Sequence, residues 1–217
     1  CSSDLDQESD NQEEIQDLFA NLQQLLEDTI DSGEKPEDVF QSLQRYCGND
    51  IETFLNDFIS EQVDMESFSY AQELIEGFQS FLPESLWLEL FSLRILTYKL
   101  PKESPASLKQ YIKKLEKAPS LDLYLELLNH MIQNSDPSLF LYVVKQVIPL
   151  VQTEEDFQEI LEICSDYFKV TDQDEEENQV RILIDSRSSK EMSDVLLADD
   201  EGTQELIKIL DHSLTVG

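Results

Sequence analysis

Glycine is scarce, with five in 217 residues, which disfavours glycine-loop nucleotide folds and turn-rich β folds. Positive charge is scarce too: 15 Lys and Arg stand against 47 Asp and Glu, a net charge of −32. Nucleic-acid binding needs cations to neutralise phosphate, so this composition argues against it. No run of 18 apolar residues occurs, so no segment reads as a transmembrane helix. The two histidines, His130 and His212, lie 82 residues apart and in no helical metal-site spacing. Phosphate-loop, dinucleotide and nucleophile-elbow motifs are absent. Carboxylates are so numerous that no pair stands out as an acid/base couple. The chain therefore reads as non-enzymatic, with no catalytic residues, metal ligands or cofactor assigned.

What is present is helical. Apolar residues make up 40% and charged residues 29%, enough for one compact domain or two small ones. Ile15, Leu18, Phe19, Leu22, Leu25, Leu26 and Ile30 recur at helical steps, predicting a helix over 13–31 that Ser32-Gly33 ends. Pro36 opens the next helix, with Val39, Phe40, Leu43 and Tyr46 along its face until Gly48. Asn49-Asp50-Ile51-Glu52 reads as a helix cap, followed by Phe54, Leu55, Phe58 and Ile59. Asp64 or Ser67 starts a helix carrying Phe68, Ala71, Leu74, Ile75 and Phe78, which Pro83 breaks. The stretch 86–100 is apolar on more than one face, so Trp87, Leu88, Phe91 and Ile95 are expected at the centre of the core.

Beyond it the punctuation is regular. Ser104-Pro105, Ser120, Asp136-Pro137 and Thr153 read as N-caps 16, 16 and 17 residues apart. Each interval holds about three turns plus a short loop, so successive helices are antiparallel neighbours. The fold class expected is all-α, a multihelical bundle or short α-solenoid. Residues 172–177 read as an acidic loop. Residues 180–184 suit a short strand or a helix equally, 186–190 a polar linker, and 191–197 a short helix. The stretch 203–214 is amphipathic through Leu206, Ile207, Leu210 and Leu214, either docking on its own domain or presented to a partner. The domain reading is a flexible polar tether at 1–12 and a helical domain at 13–170, with room for two sub-bundles divided near 100–104. An acidic loop and C-terminal helical segment follow at 171–217.

Charge is segregated. Residues 1–93 carry 23 acids and only Lys35 and Arg45, a net of −21; residues 94–149 net +3; residues 150–217 net −14. Lys109, Lys113 and Lys117 are four apart and share one helix face, with Leu108, Tyr111, Ile112 and Leu115 on the other side. With Lys114 they form the candidate partner-binding row. Such a layout guides association electrostatically, attracting basic partners to the acidic arms and acidic surfaces to the Lys row, or attracting the chain's own arms. The partner expected is a protein, not a nucleic acid.

Asp172-x-Asp174-x-Glu176 starts like a calcium loop, but Glu177 and Leu183 stand where the loop needs Gly and Glu. Cys47 and Cys164 end apolar stripes, so they are expected to be buried as small hydrophobes or, in an oxidising compartment, to pair.

Two resemblances suggest settings. Cys1-Ser2-Ser3-Asp4, followed by the polar stretch to residue 12, resembles the start of a mature bacterial lipoprotein. That resemblance implies an acyl group on Cys1, the only membrane attachment expected, and a place in the bacterial cell envelope, periplasmic or at the surface. Separately, 35–43 from Lys35-Pro36-Glu37-Asp38 to Leu43, with Tyr46 and Asp50-Ile51-Glu52-Thr53-Phe54-Leu55, resembles the first helical repeat of type III secretion gatekeeper proteins. Ser104-Pro105-Ala106-Ser107-Leu108 with Tyr111, Ile112 and Leu115 is similar to a later segment of that family. This second resemblance implies a stacked helical plug, cytoplasmic or secreted, that binds chaperones and secretion-apparatus components.

Overall fold

The structure, a computed structural model, describes the backbone of residues 2–30, 33–48, 50–197 and 199–216, and the side chains of 14–30, 33–48, 50–197 and 199–213. Among the described residues it is all-α, with eleven helices and one 3-10 turn, Ile148–Leu150. The sole extended pairing described is an isolated antiparallel bridge between Thr153 and Val195. The chain divides into two compact units, Cys1–Ile95 and Leu96–Gly217. The division falls after Ile95, short of the optional break expected near 100–104, and 171–217, expected as a separate segment, belongs to the second unit.

The first unit contains α1 (Ser2–Ile30), α2 (Pro36–Tyr46), α3 (Ile51–Asp64), α4 (Phe68–Phe78) and most of α5 (Leu86–Lys99). Helical backbone thus extends through residues 2–12, the segment read as a tether. Gly33 takes φ 97°, the positive value expected of a helix stop. Pro36 stands at the first position of α2, and Asp50 caps α3 by accepting from Thr53 N–H at 3.1 Å. The core is aromatic. Phe19 of α1 stacks on Phe58 at 5.1 Å and meets Phe78 edge-on at 6.1 Å. Leu88, Phe91 and Ile95 of α5 join this core as expected. Trp87 packs against this core from its edge and is only half-buried, tilted against Phe91 at 5.9 Å, because its position on α5 lies at the margin of the face that Leu88 and Phe91 bury.

The second unit contains α6 (Ser104–Leu115), α7 (Leu121–Met131), α8 (Pro137–Val147), α9 (Glu154–Val170), α10 (Asp174–Arg187) and α11 (Glu201–Val216). Phe140 stacks on Tyr167 at 3.8 Å, and Leu206, Ile209 and Leu210 bury the apolar face of α11 within this unit. Asp136 caps α8 by accepting from Ser138 and Leu139 N–H, and Thr153 forms a reciprocal capping box with Asp156. Ser104 is not a cap. Helical backbone already includes Glu103, so Ser104 turns inward and donates to the Pro101 carbonyl at 3.2 Å.

Downstream, two expectations are corrected and the open choice at 180–184 is decided. The acidic loop shrinks to a turn, because α10 begins at Asp174 and its four leading acids favour the positive end of the helix dipole. Residues 180–184 are helical. Residues 191–197 form no helix but a strap, a turn at 192–193 leading to the bridge at Val195. Asp194 and Met192 carbonyls accept from Glu154 and Glu155 N–H, at 2.8 and 3.0 Å, and Leu196 N–H donates to Gln152 at 2.8 Å. The first N–H groups of a helix lack internal partners, and satisfying those of α9 wins over a local turn of helix.

Candidate functional site

The first unit carries more apolar surface than its core uses. On α1, Phe19 and Leu26 are buried and Ile15, Leu22 and Ile30 pack on the core, but Leu18 is 51% and Leu25 54% exposed. Leu18, Leu22 and Leu25 line one wall of a groove of about 780 Å³. Leu43 and Cys47 from the end of α2 and Ile51 and Phe54 from the start of α3 line the rest. Phe54 is 44% exposed and stacks on Phe19 at 5.5 Å, so it stands as a rigid half-open wall. The end at Cys47 and Asp50 is built locally. Cys47 takes extended backbone and stops α2, and the Asp50 carboxylate that caps α3 also accepts from Gln44 of α2 at 3.0 Å. The hydrogen bonds from Thr53, its N–H first, hold that carboxyl below its ordinary pKa, so this end stays anionic.

The rim is acidic. At about 100° per residue, Glu14, Asp17 and Asp28 fall beside the Leu18–Leu25 stripe, on the side away from Phe19. All three are exposed, as is Asp57, one turn beyond Phe54 on α3. The two bases of residues 1–93 stand elsewhere. Arg45 is about 160° around α2 from Leu43, and Lys35 is at the N-cap of α2, the end opposite Cys47.

The Lys row is where the spacing put it. Lys109, Lys113, Lys114 and Lys117 are all exposed, while Leu108, Tyr111, Ile112 and Leu115 are buried beneath them. Lys117 continues the row just past the end of α6, its N–H donating to the Lys114 carbonyl at 3.0 Å. Cys1, the expected acylation site, lies outside the described residues. Cys47 and Cys164 are both free thiols. Cys164 is buried as expected, and burial pushes its pKa up to about 12. Cys47 is exposed, because α2 ends there and leaves it at the groove wall. His130 is 3.1 Å from Thr97 and His212 is 3.3 Å from Glu176. Among the described residues no group of three or more His, Cys, Asp or Glu is arranged to hold a metal, the 172–177 carboxylates included.

Sequence reading missed one cluster altogether. Arg187, assigned to a polar linker, is 4% exposed. It donates to both oxygens of Glu154 at 2.7 and 2.5 Å and to Asp200 at 2.7 Å, and its guanidinium lies 4.6 Å over the Phe157 ring. Lys190 completes a neutral quartet, 3.3 Å from Asp200 and 3.6 Å from Glu154. Burial acts to raise the pKa of Glu154 and Asp200, but the hydrogen bonds and charges of Arg187 and its neighbours outweigh it and hold both below their ordinary values. Every partner of this clamp comes from the chain itself, so its role is to fasten the strap and α11 onto α9. The separation of 33 positions between Glu154 and Arg187 leaves no local pattern to find.

Among the described residues, the groove of the first unit and, separately, the Lys row of the second are the candidate contact surfaces. Comparison with protein-family models, with curated proteins and with solved structures finds no match.

Proposed function

We propose that the chain is a non-enzymatic interaction protein whose first unit captures a partner protein in the groove between α1, α2 and α3. The observation that carries this reading is the coincidence of half-exposed Leu18, Leu25 and Phe54 with Asp50 in the groove lining and exposed Glu14, Asp17, Asp28 and Asp57 on the flanking helix faces, in a stretch of net charge −21. Grouped, partly exposed apolar side chains mark contact sites. Uniform charge around them steers oppositely charged partners and raises the encounter rate. The segment captured is therefore apolar with basic flanks. The Lys row of α6 is the second proposed contact, for an acidic surface of the same or another partner.

The experiment is affinity capture with the wild-type chain beside the Leu25→Asp/Phe54→Asp double variant, followed by salt titration of whatever binds. A true partner is lost by the double variant and associates more slowly as the Debye length shrinks to about 8 Å. Capture that survives both the double variant and charge reversal of Lys109, Lys113 and Lys117 overturns the reading.

A further inference from the structure

Resting on the reading of the groove as a protein-binding site, we infer that its occupant is a single amphipathic α-helix of a partner. The apolar stripe of that helix meets Leu18, Leu22, Leu25 and Phe54, and its flanking Lys or Arg residues lie over Glu14, Asp17, Asp28 and Asp57. Charge removes the competing occupants. A fatty carboxylate or an anionic membrane would bring negative charge to a rim that offers no base beside it. A second copy of the same groove would oppose −21 with −21 over residues 1–93. What the rim accepts is cationic, and what the floor accepts is apolar.

Backbone chemistry chooses the helix. The groove is walled by helices, whose N–H and C=O groups are already paired along their own length, and the first unit has no strand among its described residues. An extended peptide would bury its own backbone groups there without partners, whereas a helix satisfies them internally. Spacing agrees. Leu18, Leu22 and Leu25 form a ridge at steps of four and three, about 10 Å long at 1.5 Å per residue, the length of two turns. A partner helix reads such a ridge with apolar residues at matching steps. Cys47 lines the same groove and is exposed, so a seated helix covers its thiol.

The test uses the full chain with Cys1→Ser, leaving Cys47 as the accessible thiol because Cys164 is buried. The probe is a Leu/Lys peptide of about 18 residues with Leu at a and d positions, long enough for measurable helicity. Beside it run a proline-interrupted isomer and an isomer with Ser for Leu. The first peptide is expected to gain helical circular dichroism on binding and to slow Cys47 alkylation at least tenfold. Leu25→Asp/Phe54→Asp adds negative charge yet should weaken that binding at least tenfold, and Leu18→Asp, judged folded by its unchanged melting curve, should do the same. If the proline isomer binds and protects equally well, the helix is wrong while the protein-binding reading stands. Equal binding of the Ser isomer, or binding undiminished in both variants, means charge condensation alone and overturns both. Protection of Cys47 by vesicles of phosphatidylcholine and phosphatidylglycerol, and not by the Leu/Lys peptide, makes the groove a lipid site and likewise overturns both.

Discussion

The two units differ in what they group and what they bury. The first gathers leftover apolar side chains in one place: Leu18, Leu25 and Phe54 stand half-open around a groove. The second leaves apolar side chains exposed as well, Val195 and Leu197 of the strap among them, but it also draws charges inside: Arg187 and Glu154 are 4% and 1% exposed and satisfy one another. Exposed apolar surface costs little structurally and retains bonding capacity for a partner. A buried ion cluster has no capacity left, and holds only while complete. The first arrangement therefore suits recognition and the second suits closure of a fold.

The sharpest way to break this contrast is Arg187→Ala. It leaves buried Glu154 and half-buried Asp200 with Lys190 alone, at 3.6 and 3.3 Å, and should cost the second unit about 3–5 kcal/mol. Hydrogen exchange at Glu154, Glu155 and Leu196, the strap amides, is expected to accelerate first. The same clamp responds to pH. Both carboxyls titrate below their ordinary values in the fold. Their contribution is thus complete above the ordinary carboxylate range of about 4 and is lost as pH falls through the depressed values. Acid titration followed at the strap amides checks the sign; protection that increases on acidification would contradict it.

Phe91→Ala tests the first unit at its core. Phe91 is fully buried, so the loss should be about 3–5 kcal/mol, and a loss under about 1 kcal/mol would place α5 at the surface. Gly202→Ala is milder. A Cβ there would collide with the Arg187 guanidinium and crowd the Asp200 carboxylate. Because Glu154 pins that guanidinium, the expected cost is about 1–3 kcal/mol, read from urea midpoints. Smallest in stability is Leu25→Asp, at a position 54% exposed, expected to cost under about 1 kcal/mol. Its effect should appear in partner binding instead, which separates a recognition surface from a structural one.

How much of this could be read beforehand follows from the range of each interaction. Gly33, Pro36, Asp136 and Thr153 act within one turn of themselves, so helix starts and stops were legible from neighbours in sequence. The Lys row was legible because a four-residue step fixes a common face. On α1, seven apolar positions were visible as one stripe, but which of them the core would take depended on Phe58 and Phe78 from distant helices. The surplus at Leu18 and Leu25 is what that choice left behind. Residues 191–197 misled for the same reason: their local pattern suits a helix, while the unpaired N–H groups at the start of α9 supplied a stronger offer. Ser104 shows the reverse case, a residue with cap chemistry displaced by a turn beginning one position earlier.

The placement of Trp87 has an optical consequence. It is the chain's single tryptophan, set half-open against Phe91 in the first unit. Indole emission therefore reports the solvation of that unit alone, while the second unit is dark at the same wavelengths. Emission shift and far-ultraviolet ellipticity, followed through one denaturation series, will coincide only if both units melt together.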